Sequence, residues 1–339
     1  MGNNISEVFT KIASGHTVHE VDCATKKKID KLLTGPCVDV VLLRPHNWVV
    51  LRRFLKIHEM VYNFQFRPDD VVVMTYPKCG TTWSQEIVWN MRNNPDLDNP
   101  DADDALFVRS PYLEIDMLSG PKMTVDFAAM VAFTKGIQKY VWNLFHLLGS
   151  SPMFKVAEAH WKPRTIKTHL PFSMLPKNLL DTCKVVYVSR NPKDNVLSAQ
   201  HHYKLHKMAN FIGTQDEFVD LYVEDLLLYS PYGQHLREAW SRRHHPNFFM
   251  MTYEELKADT RQQLTKLDAG TQDEFVDLYV EDLLLYSPYG QHLREAWSRR
   301  HHPNFFMMTF EELKADTRQQ LTKLDAFLGT GLTDKQFDN

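Results

Sequence analysis

Asp70-Val71-Val72-Val73-Met74-Thr75 is a short apolar run rich in β-branched residues, bounded by Pro68 and Pro77. Such a run reads as a buried strand. A Gly-containing turn follows. Residues 81–91 then carry Trp83, Ile87, Val88 and Met91 at helical spacing. A second unit of the same kind begins with Lys184-Val185-Val186-Tyr187-Val188. Asn191-Pro192-Lys193-Asp194 offers a helix start, with Pro at an early helical position, and residues 195–207 continue the helix. Between the units, residues 163–171 form a short extended stretch that runs into a turn at Pro171. Apolar strands alternating with helices predict a parallel sheet covered on both faces. The expected class is α/β: three layers, a central parallel sheet and a P-loop-like strand-loop-helix site.

At 339 residues the chain can bury a large core, in one α/β domain or two smaller ones. A net charge of -3 gives no reason to expect nucleic acid, so a bound anion must be held by a local pocket. Cys23, Cys37, Cys79 and Cys183 form no CxxC pair and suggest no disulfide framework. That pattern fits a reducing compartment, with the cytoplasm as the expected location. No apolar run is long enough to cross a bilayer, and the N-terminus has no secretory h-region. Met1-Gly2-Asn3-Asn4-Ile5-Ser6 fits the N-myristoylation pattern, which fixes so few positions that chance is the competing reading.

Residues 1–45 have mixed character and are expected to form a loosely attached arm, with Lys26-Lys27-Lys28 as a solvated face. Residues 46–339 are expected to form the main domain. Within it, residues 213–269 and 270–326 are tandem copies of 57 residues that differ only at Tyr253 and Phe310. Solenoid repeats are shorter, number three or more and have atypical end copies. Two near-identical copies in one globular domain would face different surroundings, which identical apolar faces cannot both suit. The pair therefore reads as a recent duplication or a gene-assembly error. One sheet has one slot for the strand at 248–253, and the strand at 305–310 would compete for it.

The loop Tyr76-Pro77-Lys78-Cys79-Gly80-Thr81-Thr82-Trp83 carries chemistry. Its glycine permits close backbone approach. The amides and dipole of the helix start favour an anion. Lys78 adds a point charge, and Thr81 and Thr82 add hydroxyl donors. Lys precedes Gly, so the spacing is not GxxxxGK[ST]. At the C-terminal end of the second strand, Arg190 offers a bidentate guanidinium, and Ser198 on the helix beyond offers a hydroxyl. Ligands of open α/β sheets sit just outside the carboxyl ends of the strands. Taken singly, an ordinary turn and a surface arginine are the plain alternatives.

Residues 76–83 resemble the 5'-phosphosulfate loop of the cytosolic sulfotransferases, usually written YPKSGTTW, with Cys79 where many members have serine. Arg190-Asn191-Pro192-Lys193-Asp194-Asn195-Val196-Leu197-Ser198 resembles the family's 3'-phosphate site, and Lys167-Thr168-His169-Leu170-Pro171 its KTHLP segment. The three occur in the family's order. The resemblance implies metal-free transfer of a sulfuryl group from 3'-phosphoadenosine-5'-phosphosulfate (PAPS) to a small hydroxyl or amine acceptor. It implies that Lys78, Cys79, Gly80, Thr81 and Thr82 cradle the 5'-phosphosulfate and that Trp83 packs on the adenine. Tyr253 would approach the adenine from a strand, and Arg190 and Ser198 would anchor the 3'-phosphate. His169 is then the base, a task suited to imidazole near neutral pH, while Lys78 and Lys167 stabilise charge.

The resemblance covers residues 45–269, with 327–339 continuing from either copy. Nothing matches the family's RKGxxGDW clamp or its short dimer motif. Cofactor affinity, activity and dimerisation are in question on that ground, and a degenerate nucleotide-binding pseudoenzyme is the second reading. A P-loop kinase is the third, opposed by the missing GxxxxGK[ST] and the lack of an evident acidic partner for magnesium. His202 and His206 have a spacing that can bind metal, but no nearby Cys or carboxylate completes a site, and no metal is expected. Phe127, Met130, Phe133, Trp142 and Phe145 recur at near-helical spacing, as an acceptor pocket or as plain core.

Overall fold

A computed structural model describes residues 11–36, 38–118 and 163–269, together with 154, 157–158, 298–299, 301–304, 306, 316–328, 330 and 333. Met1–Ser6, Cys37 and the apolar set from Phe127 to Phe145 lie outside the described residues. The chain divides into two compact units, Met1–Gln272 and Asp273–Asn339.

The N-terminal residues depart from the expected loose arm. β1 (Thr17–Glu20), β2 (Val40–Arg44) and β3 (Trp48–Leu51) form an antiparallel sheet in that order. Between β1 and β2 in the chain lies α1 (Cys23–Leu32). Asp22 caps it, accepting from the amides of Ala24 and Thr25 at 3.0 Å each. Ile29, Leu32 and Leu33 are buried in one cluster with Phe211, Phe218 and Leu221. Each such side chain contributes about 1.5–3 kcal/mol by burial. Lys28 meets Glu224 at 2.7 Å, while Lys26 and Lys27 stay exposed. The lysine run hid a helix whose apolar face is only one residue wide at each turn.

The central sheet is β4 (Val71–Thr75), β5 (Thr165–Thr168), β6 (Lys184–Ser189) and β7 (Phe248–Thr252), all parallel, in the order β5-β4-β6-β7. Every residue of β4 is buried, as a strand covered on both faces requires. On one face Val71, Val73, Val186, Val188, Phe249 and Met251 pack against Val88 of α2 (Thr81–Asn93). Between β6 and β7 the chain forms α3 (Pro192–Leu205), α4 (Gln215–Val223) and α5 (Tyr232–Trp240). On the other face α5 meets the sheet, where the Tyr187 hydroxyl bonds His235 Nδ1 at 2.8 Å. The expected α/β layering is observed.

β7 comes from the first copy of the repeat and pairs with β6 from Val185↔Phe248 to Ser189↔Thr252. It runs into α6 (Tyr253–Ala258) and α7 (Thr260–Ala269). In the second unit α8 (Thr317–Leu328) begins with the same ten residues as α7. Most of the second copy, with nearly all of residues 305–310, lies outside the described residues. Among the described residues no helix is long and apolar enough to cross a membrane.

Candidate active site

The parallel sheet brings the ends of β4, β5, β6 and β7 to one edge, where ligands of open α/β sheets bind. Beyond β4 the chain turns through Lys78 at φ 69° and Gly80 at φ 93° before α2 starts at Thr81. Gly80 supplies no side-chain cap. The first-turn amides of α2 therefore have no acceptor within the helix and favour an anion. A Cβ at Gly80 would lie 2.5 Å from Cδ2 of Tyr253, so the glycine lets this ring close over the loop. Thr81 Oγ1 is tied to Thr75 Oγ1 at 2.7 Å, whereas Thr82 is exposed. Cys79 is fully buried, and burial pushes its thiol far above the ordinary range. It contributes backbone to the loop, not a thiolate.

β6 delivers Arg190. Its Nη1 donates to the Lys78 carbonyl at 3.0 Å, and its guanidinium lies 4.4 Å over the Tyr253 ring. Arg190 Nε is buried with no hydrogen-bond partner among the described residues. Tyr253 also meets Trp83 edge to face at 5.9 Å. Tyr253 opens α6 rather than ending a strand, because the Thr252 hydroxyl caps the Glu255 amide at 3.1 Å and starts the helix there. Ser198 is half-buried on α3. One turn earlier, Asn195 Nδ2 donates to the Pro77 carbonyl at 2.7 Å and holds the loop to α3. Sequence reasoning gave Asn195 no role, and its amide carries no signal of one.

β5 is in register with β4 through Met74↔Thr168, which sets His169 beside Thr75. His169 Nδ1 lies 2.8 Å from the Thr75 carbonyl oxygen. A carbonyl only accepts, so Nδ1 carries the proton and Nε2 keeps its lone pair. Burial, then the Lys167 charge, lowers the imidazole well below its usual range, so it is neutral at pH 7. The rings of Tyr112 and Tyr229 stand edge-on to it, each at 5.4 Å. The His169 carbonyl accepts from His235 Nε2 at 3.0 Å.

Lys167 has its ammonium 4.2 Å from the centroid of the Tyr112 ring. Burial lowers its pKa to about 8, Glu114 opposes that shift, and Lys78 adds to it. Lys78 is itself lowered by burial and by Arg190. Two desolvated ammonium groups and a guanidinium within mutual electrostatic reach suit a polyanion. His202 belongs here as well. Burial and then the charges of Lys78, His206 and Lys167 push it down to about 4, which places it on the lysine side of α3. No group of metal-binding side chains occurs among the described residues. Open helix-start amides, converging cations and an orphaned buried Arg190 Nε fit an anionic nucleotide.

The sulfotransferase domain profile matches residues 68–269 and again 265–339. Sulfotransferase 1A1 of Mus musculus is 32% identical over 237 residues, covering 68% of this chain and 70% of that protein. Luciferin sulfotransferase of Photinus pyralis is 30% identical over 227 residues, covering 66% of this chain but 56% of that relative, little more than half its length. A crystal structure of retinol dehydratase in complex with androsterone and the inactive cofactor PAP matches with a TM-score of 0.64 and 26% identity, covering 94% of this chain and 96% of that one. A second, with retinol and PAP, gives a TM-score of 0.64 and 25% identity, covering 94% and 97%. The chain belongs to the sulfotransferase family. Membership carries the family's reaction class, sulfuryl transfer with PAPS as donor.

Proposed function

We propose that this chain moves the sulfuryl group of PAPS onto a small hydroxyl or amine acceptor, with His169 Nε2 taking the acceptor's proton. The observation that carries this reading is the His169 Nδ1 bond to the Thr75 carbonyl at 2.8 Å. It fixes the tautomer that leaves Nε2 basic, and it ties the base to the strand that feeds the phosphate loop. PAPS supplies an activated sulfuryl group when bound. The acceptor oxygen or nitrogen bonds sulfur, the bond from sulfur to the 5'-phosphate oxygen breaks, and the acceptor's proton goes to His169. Lys78 and Lys167 would stabilise the charge that builds on the transferring group and its leaving oxygen.

The loop 76–83, the α2 amides and Thr82 would hold the 5'-phosphosulfate. Tyr253 and Trp83 would flank the adenine, and Arg190 with Ser198 would take the 3'-phosphate. Cys79 enters through its backbone. The aromatic walls beside His169, Tyr112 and Tyr229, favour a flat apolar acceptor. Retinol dehydratase, which crystallised with androsterone and with retinol, offers a parallel. The cytoplasm is the proposed location, from the family and from buried free Cys79 and Cys183.

The test is transfer of labelled sulfate from PAPS to a panel of phenols, sterols and amines in the presence of a metal chelator. Product formation that persists without metal is the expected result. Transfer of phosphate from magnesium-ATP, with none from PAPS, would overturn the reading.

A further inference from the structure

β5 is the edge of the central sheet, and a short segment lies along it. The Lys167 amide donates to the Pro111 carbonyl at 2.9 Å, and the Leu113 amide donates to the Lys167 carbonyl at 2.9 Å. Tyr112 pairs with Lys167 in parallel. The segment thus seats Tyr112 against the Lys167 ammonium and the His169 ring. Glu114 follows and is fully buried. Its Oε1 accepts from the His169 amide at 2.6 Å, and its Oε2 accepts from Thr168 Oγ1 at 2.8 Å. Thr168 Oγ1 in turn accepts from the Leu170 amide at 3.0 Å, so its proton is directed to the carboxylate. A buried carboxylate is tolerated where donors and a nearby cation offset its burial; here the donors are the His169 amide and Thr168, and Lys167 acts on the carboxylate electrostatically.

We propose that Glu114 is a positioning residue of the transfer reaction: its carboxylate grips the peptide that carries His169 and serves as the buried counter-charge that keeps Lys167 an ammonium. The proposal rests on the roles given above to His169 and Lys167. Glu114 leaves the imidazole free, because it holds His169 by the backbone amide.

Burial raises the Glu114 carboxyl to about 7, against the hydrogen bonds from the His169 amide, Thr168 and its own amide and against Lys167, which all lower it. The groups facing this cluster are Tyr112 on the same segment, Lys167 and His169 at the end of β5, and Tyr229 from the loop before α5. Lys78 on the phosphate loop, His202 on α3 and His235 on α5 act on Lys167 or His169 from further out. The two tyrosines are pushed well above their usual range by burial and stay neutral. His169, His202 and His235 are all lowered and also stay neutral at pH 7. As pH rises through about 7, Glu114 becomes the anion set against Lys167.

Glu114→Gln preserves size and an acceptor for the His169 amide but removes the charge. It should lower kcat/KM about tenfold to a hundredfold, the scale of a misplaced catalytic group, with unchanged affinity for adenosine 3',5'-bisphosphate. The alkaline limb of kcat/KM against pH should move to lower pH, because an ammonium without its counter-charge deprotonates sooner. Glu114→Asp keeps the charge and should return that limb toward its original position. A purely structural glutamate would change stability and leave the limb in place, which would overturn the proposal. Should Glu114→Gln not fold, Thr168→Val decides. That variant removes the side-chain donor to the carboxylate, and a several-fold fall in kcat/KM at constant nucleotide affinity supports the proposal, whereas an unchanged rate sinks it. His169→Ala run alongside separates the failures. An active His169→Ala removes the ground beneath the proposal, while an inactive one beside an unaffected Glu114→Gln refutes Glu114 alone.

Discussion

Lys78, Gly80 and Arg190 meet at the Tyr253 ring and the loop backbone, and each had a role legible in the sequence. The glycine's reason was not legible. It came from the Tyr253 ring, 173 positions along the chain and folded over it by β7. Gly80→Ala must bear a left-handed backbone, about 1–2 kcal/mol for a residue with a Cβ, and must also displace Tyr253. The variant should melt at lower temperature and bind adenosine 3',5'-bisphosphate more weakly; an unchanged melt and affinity would show that the ring is not closed over the loop. Lys78→Ala and Arg190→Ala should each weaken the same ligand by about 1.5–3 kcal/mol, the range for hydrogen bonds to charged groups. Calorimetric titration checks this, and affinity unchanged from the parent chain in both variants would remove the anion site from this loop.

The sequence of β5 reads as a short extended stretch, and Lys167-Thr168-His169 stand out in it by resemblance. Their electrical setting could not be read, because Tyr112, Glu114 and Tyr229 reach the strand from segments distant in sequence. That setting predicts a pH profile. His169 is depressed, so it stays unprotonated below the usual imidazole range. The acid limb of kcat/KM then belongs first to Glu114, whose carboxyl takes up its proton as pH falls through about 7. Lys167 loses its proton as pH rises through about 8, and the alkaline limb follows it. Rate measurements from pH 5 to 9 (roughly the span of both groups) test the pair. An acid limb at the ordinary histidine value that Glu114→Gln leaves in place, or no alkaline fall, would contradict the assignment. The helix-strand order was legible from apolar periodicity alone. α1 was not, because only Ile29, Leu32 and Leu33 mark its buried face, and they pack on Phe211 and Phe218 far along the chain.

The 57-residue repeat gives the chain two claimants for the strand beside β6, and the first copy holds that place as β7. We propose that the second copy is a tandem duplication without a place in the sheet. Deleting residues 270–326 joins Ala269 to Phe327 and should yield a chain that is more soluble and melts more cooperatively. A deletion variant that unfolds at lower temperature or aggregates more would show that the second copy has a structural place. The parallel sheet and the one-edge site follow from the α/β pattern, whereas the strand order and the copy that fills the slot could be decided only by the fold. The catalytic reading of the whole molecule rests on one imidazole, and His169→Ala tests it in a single pair of assays. Sulfuryl transfer should be abolished while adenosine 3',5'-bisphosphate binds as before; a variant that retains most of its kcat would contradict the role given to His169.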